Sequence, residues 1–278
     1  MYNEKKILRR EGIIVELKNT KVGFIGYGNM AQAMATGWVK TGAVNPEHIY
    51  ASARNFEKLK NNCKQLNIIA CKDAEELVEQ VDIVILAVKP HQIAIVVESL
   101  KTKLKNKIVV SVAVNYTFEM FEQILLEGTA HLSILPNTPV SIGEGIVIME
   151  DTHSLASEEF VLISELFEKL GLIQTVATEQ LGVAGAVAGC GPAFASIFIE
   201  ALADGGVKYG LTREEAYQFA SQVLVGTGKM QLETKEHPGV MKDKVTSPGG
   251  TTIKGVTALE KNNFRHAVIS ALDAIEGN

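Results

Sequence analysis

Cysteine is scarce: Cys63, Cys71 and Cys190 are the only three in 278 residues, with no Cys-x-x-Cys pair and no His/Cys spacing suited to a metal. That excludes a disulfide framework and a zinc-finger plan, so a reduced, cytoplasmic setting is expected. An excess of positive charge is missing too. Lys and Arg number 27 against 32 Asp and Glu, a net charge of -5 that gives no reason to expect a nucleic-acid or acidic-membrane partner. A secretory signal is not expected in residues 1–19, where Lys5, Lys6, Arg9, Arg10 and Glu11 leave only a short apolar patch at Ile13-Ile14-Val15. They read as an N-terminal extension with no chemistry of its own. One stretch, residues 181–199, lacks any charge over a bilayer-spanning length. Gly182, Gly185, Gly189, Gly191 and Pro192 interrupt it, so a buried, close-packed helical segment is expected rather than a membrane span.

An apolar content of 46% with 21% charged residues is globular, and the length allows two sizeable cores. Between Lys21 and Thr178 short apolar runs alternate with helix-like segments. Strands are predicted at 22–25, 49–52, 68–70, 81–88, 107–112 and 131–135, with edge strands at 145–149 and 173–176. Helices are predicted at 29–40 and around 157–170. Such alternation predicts a doubly wound parallel sheet of Rossmann type. Beyond Thr178 the strand signal stops. Segments 179–209, 213–233 and 252–275 read as helices, broken at Gly191-Pro192, Gly210, His237-Pro238 and Pro248-Gly249-Gly250. The expected plan is an extension (1–19), a dinucleotide-binding domain (20–178) and an all-helical domain (179–278). The helices carry wide apolar faces, as in Ala193-Phe194-Ala195-Ser196-Ile197-Phe198-Ile199, which predicts an obligate homo-oligomer through them.

Gly26-Tyr27-Gly28-Asn29-Met30-Ala31 follows a predicted strand and opens a predicted helix. In that context the first glycine allows the turn and the second lets a pyrophosphate approach the backbone. Ala31 keeps helix and sheet close. A glycine turn in a non-nucleotide protein is the alternative. The second strand ends in Ser52-Ala53-Arg54-Asn55 with no carboxylate before Glu57, so NADPH is expected, with NADH a weaker alternative. Arg54 reads otherwise as a solvated surface charge. Ala87-Val88-Lys89-Pro90 ends the fourth strand and is expected to line the ribose and nicotinamide. Lys89 reads either as an acid/base or as a helix-entry surface lysine.

Thr246, Ser247, Thr251 and Thr252 surround Pro248-Gly249-Gly250, a run of hydroxyls and flexible backbone entering a helix, suited to a small carboxylate. A glycine loop with a threonine N-cap is the plain alternative. No His or Lys occurs in Ala186-Val187-Ala188-Gly189-Cys190-Gly191-Pro192, where hydroxy-acid dehydrogenases of a related plan carry a lysine. Ketone reduction needs such a proton donor; reduction of a protonated imine does not. A hydroxy-acid dehydrogenase and a catalytically poor dinucleotide-binding paralogue are the rival readings.

These residues, with Leu135-Pro136-Asn137-Thr138-Pro139, Gly189-Cys190-Gly191-Pro192-Ala193-Phe194, Asp204-Gly205-Gly206-Val207 and the 243–253 block, resemble the pyrroline-5-carboxylate reductase family from about Lys21 onward. The resemblance implies a Rossmann domain and a helical dimerisation domain, with dimers assembling in some members into decamers. It implies hydride transfer from NAD(P)H to the imine carbon of Δ1-pyrroline-5-carboxylate, giving L-proline. Ser247 with the backbone of Gly250 and Thr251, next to Gly249, would hold the substrate carboxylate. The Thr252 hydroxyl would meet the ring nitrogen, and the Pro136-Asn137 loop would shape the nicotinamide side. Cys190, Asp73-Ala74 and Ala113-Val114-Asn115 depart from residues common in the family.

Overall fold

The computed structural model describes residues 17–114 and 116–277. Residues 1–16, most of the expected extension, and Asn115 of the 113–115 loop lie outside the described residues. The chain divides into two compact units, the first ending at Gly185 and the second beginning at Ala186.

The first unit alternates β1 (Val22–Ile25), α1 (Asn29–Thr41), β2 (Ile49–Ser52), α2 (Phe56–Leu66), β3 (Ile69–Ala70), α3 (Ala74–Gln80), β4 (Ile83–Leu86), α4 (Pro90–Leu104), β5 (Ile108–Ser111), α5 (Phe118–Glu122) and β6 (His131–Pro136). It closes with β7 (Gly145–Glu150), α6 (Ser157–Glu168) and β8 (Gly171–Val176). All form one eight-stranded sheet in the order β3-β2-β1-β4-β5-β6-β7-β8. The first four strands of the series that carry apolar residues on both faces (β1, β2, β4 and β5) are buried at every position, as a sheet covered by helices on both sides requires. One face packs α1, α2 and α6 around Trp38, which lies edge-on to Phe167 at 5.3 Å and donates from Nε1 to the Leu166 carbonyl (2.9 Å). The other face packs α3, α4 and α5 around Leu77, Ile93, Val97 and Phe121.

Two features of the sheet differ from expectation. β7 is an interior strand, with β8 at the edge, and β7 pairs antiparallel to β6. The reason is the connection: residues 137–144 are too few for the crossover of about a dozen residues that a parallel pair needs. β4 is also shorter than the apolar run 81–88: Val81 and Asp82 precede the ladder, and Ala87 and Val88 leave it at the sheet's carboxyl edge.

The second unit contains α8 (Arg213–Thr234), α9 (Pro238–Lys244), α10 (Thr251–Lys261) and α11 (Phe264–Glu276), preceded by α7 (Leu181–Lys208), whose first turn belongs to the first unit. Thr212 and Glu215 cap α8 reciprocally, and Arg213 pairs with Asp204 of α7. The expected break at Gly191-Pro192 is absent. Pro192 lies inside a continuous 28-residue helix, where one missing donor is outweighed by the hydrogen bonds of the remaining turns. The expected helix 252–275 is instead two helices, because Asn262-Asn263 turns the chain with Asn263 in the left-handed region (φ 58°).

The expected burial of residues 181–199 is not achieved by one chain. Along α7 only Ala186, Ala188 and Ala203 are buried, and Ile197 is 64% exposed. The segment 178–208 is long and apolar enough to cross a membrane by length and composition. The buried apolar cluster of the second unit is three alanines, Ala203, Ala216 and Ala220.

Candidate active site

The sheet order places β1 between β2 and β4, so the chain runs in opposite directions from the centre and leaves a crevice at the carboxyl ends of β1 and β4. Gly26 occupies it. Its φ of +90° disfavours a side chain, and a Cβ there would lie 2.7 Å from the Ala87 carbonyl oxygen. Backbone hydrogen bonds fasten this turn to both neighbours, Gly26 N to Ser52 O and Ala87 N to Ile25 O, each 2.9 Å. Gly28 is the N-cap of α1, with no side-chain cap and nothing within 4 Å of where its Cβ would be. An open approach therefore leads to the first-turn N–H groups of α1, which have no acceptor within the helix. A pyrophosphate fits that cradle.

The other residues expected around this crevice take distinct positions. Asn29 and Met30 form the first turn of α1. The Tyr27 side chain turns into the core instead, 7% exposed, and its hydroxyl has no hydrogen-bond partner. Burial, with Cys63 nearby, pushes the Tyr27 phenol well above its ordinary range. Only its backbone faces the turn, where the carbonyl accepts from Gln32 Nε2 (3.1 Å). Ser52 ends β2 and is buried; Arg54 follows it exposed to solvent. Asn55 is committed to capping α2, accepting from Lys58 N at 3.0 Å. Ala87 and Val88 are half-buried at the end of β4, Lys89 is exposed, and Pro90 is the first residue of α4. Asp73 caps α3, its Oδ1 accepting from Glu76 N. Pro136 ends β6, and Asn137 holds the β6–β7 link by a two-way contact with Ile146: its N–H donates to the Ile146 carbonyl and its Oδ1 accepts from Ile146 N (2.8 Å).

In the second unit, α9 and α10 are joined by a tight turn. Gly250 N donates to Ser247 O (3.0 Å), and Gly249 has φ +70°, the geometry of a type II turn with Pro248 and Gly249 at its corners. A Cβ on residue 250 would lie 2.5 Å from Ser247 Oγ, so Gly250 is what lets the serine hydroxyl fold over the start of α10. Gly250 caps α10 with no side-chain bond, and Thr251 and Thr252 are its first two residues, both exposed. Their hydroxyls make no hydrogen bond among the described residues, whereas Thr246 is used structurally, donating to the Lys242 carbonyl. One unsatisfied helix N-terminus, the Ser247 hydroxyl and two free threonine hydroxyls thus gather within six residues. Cys190 is free and half-buried.

A third cluster was not legible in the sequence. Glu150, fully buried at the end of β7, accepts from Phe118 N (2.9 Å) and from Thr178 Oγ1 (2.7 Å). Beside it Ser133 donates to the Tyr116 carbonyl (3.0 Å). A cavity of about 180 Å³ lies there, lined among others by Ala113, Thr117, Ser133, Leu135 and Thr178. No motif links residues 118, 150 and 178; a lone acid closing the apolar run 145–149 is the only trace. Among the described residues no group of three or more His, Cys, Asp or Glu is placed to hold a metal.

Comparison with known proteins places these features. Residues 178–277 match the family model described as pyrroline-5-carboxylate reductase dimerisation, and residues 21–115 match one described as NADP oxidoreductase coenzyme F420-dependent. The pyrroline-5-carboxylate reductase of Treponema pallidum is 40% identical over 257 residues, spanning 91% of this chain and 97% of that relative. The Escherichia coli (strain K12) enzyme of the same name is 36% identical over 91% of this chain and 94% of its own length. Among solved structures, the Plasmodium falciparum pyrroline carboxylate reductase with NADP bound superposes with a TM-score of 0.83 at 30% identity, over 93% of this chain and 96% of that one. On fold, length and identity, the chain belongs to the pyrroline-5-carboxylate reductase family.

Proposed function

We propose that this chain reduces Δ1-pyrroline-5-carboxylate to L-proline with NADPH, the closing step of proline biosynthesis. The observation that carries the reading is the turn at residues 247–250, which brings a serine hydroxyl and two unengaged threonine hydroxyls to the open N-terminus of α10. NADPH, when bound, supplies a hydride to the imine carbon of the ring. The ring nitrogen, protonated as an iminium, takes up the C=N electron pair, so the protein need not deliver a proton to carbon or bring a strong acid. What remains for the chain is positioning.

Ser247 and the N–H of Thr251 hold the substrate carboxylate, beside Gly249 and Gly250, whose own N–H closes the turn onto the Ser247 carbonyl; the positive end of the α10 dipole favours the anion. The Thr252 hydroxyl meets the ring nitrogen. On the cofactor side Gly26, Tyr27, Gly28, Asn29 and Met30 cradle the pyrophosphate, Tyr27 through its backbone alone. Ser52 and Arg54 take the 2′-phosphate, while Asn55 shapes that corner as the α2 cap. The backbone of Ala87, Val88, Lys89 and Pro90 lines the ribose, and Pro136 with Asn137 shapes the nicotinamide side. The exposed position of Lys89 favours a surface role over acid/base chemistry.

In this reading residues 20–178 are the dinucleotide-binding domain and 179–278 the dimerisation and substrate domain. The exposed apolar helices form a homodimer, extended in the fullest assembly to a decamer, in the cytoplasm and not in a membrane. The test is oxidation of NADPH, followed by absorbance, with Δ1-pyrroline-5-carboxylate present and NADH run in parallel. Substrate-dependent oxidation that yields proline is expected. Binding of NADPH without turnover would keep the fold and overturn the reaction.

A further inference from the structure

The glycine that opens the cradle at the start of α1 also loosens it. Gly28 has no side chain, so an anion can approach, and for the same reason the Tyr27–Gly28 peptide is free to turn over. Such a rotation, the one that separates type I from type II turns, carries φ of Gly28 from -82° into the positive range. A side chain at 28 would disfavour that range; glycine does not. The two orientations differ for an anion. In one the Gly28 N–H faces it as a donor; in the other the Tyr27 carbonyl oxygen does, with the opposite partial charge.

Gln32 settles the choice. It is the fourth residue of α1, and helical side chains lean back toward the N-terminus, which carries its amide over the start of the helix. Nε2 donates to the Tyr27 carbonyl at 3.1 Å, and because that oxygen can only accept, the amide must present its nitrogen. Peptide bonds among the described residues are trans, so the C=O and N–H of this one point in opposite directions. With the oxygen held by Gln32, the Gly28 N–H is turned away from it and makes no hydrogen bond among the described residues. The Gln32 backbone fixes the following peptide as well, its N–H donating to the Gly28 carbonyl at 3.0 Å. One residue thus sets two successive peptides and leaves their donors, the N–H groups of Gly28 and Asn29, without an acceptor in the described chain.

We infer that Gln32 is a positioning residue for dinucleotide binding: its side-chain amide holds the Tyr27–Gly28 peptide with the N–H outward, the orientation a pyrophosphate requires. The inference rests on the dinucleotide reading of the crevice. Gln32 acts through the Tyr27 carbonyl and not by contact with the cofactor. It does not discriminate NADPH from NADH, since the pyrophosphate is common to both, and it does not serve the adenosine end.

The test measures binding of NADPH and NADH to the full-length protein by fluorescence titration, and of adenosine 2′-monophosphate, which lacks the 5′-phosphate, by displacement. Gln32→Met keeps the length of the side chain and removes the donor without adding charge. It is expected to weaken both dinucleotides alike, about threefold to tenfold, the worth of one hydrogen bond, with kcat at saturating NADPH within about twofold of wild type. Gln32→Glu keeps the shape and puts an acceptor where the donor was. The introduced carboxylate draws the Gly28 N–H toward itself and turns the Tyr27 oxygen outward, so the loss of dinucleotide affinity exceeds that of Gln32→Met. Affinity for adenosine 2′-monophosphate stays unchanged in both variants. Dinucleotide affinity within about twofold of wild type in Gln32→Met overturns the inference. A parallel loss for adenosine 2′-monophosphate overturns it too, because it would mark a general loosening of the fold. Failure of wild type to bind either dinucleotide overturns the dinucleotide reading itself.

Discussion

At the scale of single residues, the structure separates side chains kept for shape from those left free for chemistry. Asn55, Asp73 and Asn137 all carry polar groups near the crevice, and all are engaged in caps or a strand link. Thr252 is the opposite: a hydroxyl at a helix start with no structural bond. Thr252→Ala should therefore cost little stability and lower kcat about 10²-fold or more, with NADPH affinity unchanged in a titration without substrate. Loss of NADPH binding instead would show that the residue is misplaced. Arg54 is the one cation directly following β2, and its side chain is exposed. A charge-assisted bond to a 2′-phosphate is worth ~1.5–3 kcal/mol, so Arg54→Ala should raise KM for NADPH by about tenfold to a hundredfold and leave KM for NADH nearly unmoved. Equal effects on the two cofactors would exclude that role. Both positions could be singled out from the sequence, Arg54 at the end of the second strand and Thr252 in a run of hydroxyls entering a helix. Glu150 and Thr178 could not, since only the pairing of β7 with β6 and β8 brings them to Phe118 and Ser133.

At the scale of elements, periodicity was a good guide wherever one residue type dominated and a poor one wherever a connection decided. The buried parallel strands announced themselves as apolar runs; Val22–Ile25, Ile49–Ser52 and Ile108–Ser111 fall within or on the expected boundaries. The reversal of β7 depended on the length of the 137–144 link, which composition does not express. Pro192 misled in another way. As a breaker it should end a helix, yet α7 passes through it, carried by turns on both sides. The cost of a proline inside a helix has therefore been accepted, not avoided, and it should be recoverable. Pro192→Ala restores one backbone donor and is expected to stabilise the protein by up to ~3 kcal/mol, read as a rise in the unfolding midpoint. A lower midpoint would mean that the proline ring is itself packed against something worth more than the lost bond.

At the scale of the whole molecule, the two units differ in what one chain can bury. The first has a core on each face of its sheet. The second has a buried cluster of only three alanines, Ala203, Ala216 and Ala220, while Phe219 is 58%, Leu232 62% and Ile197 64% exposed. A groove of about 450 Å³ runs between Leu202, Tyr209, Leu211, Phe219 and Val223, lined almost wholly by apolar side chains. Helices of that composition are not stable in water alone, because most of their stability comes from packing an apolar face. The dimerisation match over residues 178–277 names the cover, and its thermodynamic consequence can be measured. If folding of the second unit is inseparable from association, the unfolding midpoint must rise with protein concentration, since mass action favours the associated native state. Light scattering at low micromolar concentration should detect no monomer. Phe219→Glu, which places a charge where an apolar face must be covered, should weaken assembly and lower the midpoint, with the deficit largest in dilute solution. A midpoint independent of concentration together with a stable monomer would contradict this account. Sedimentation of the protein with membranes would contradict it differently, because α7 has the length and composition to find lipid instead of a second chain.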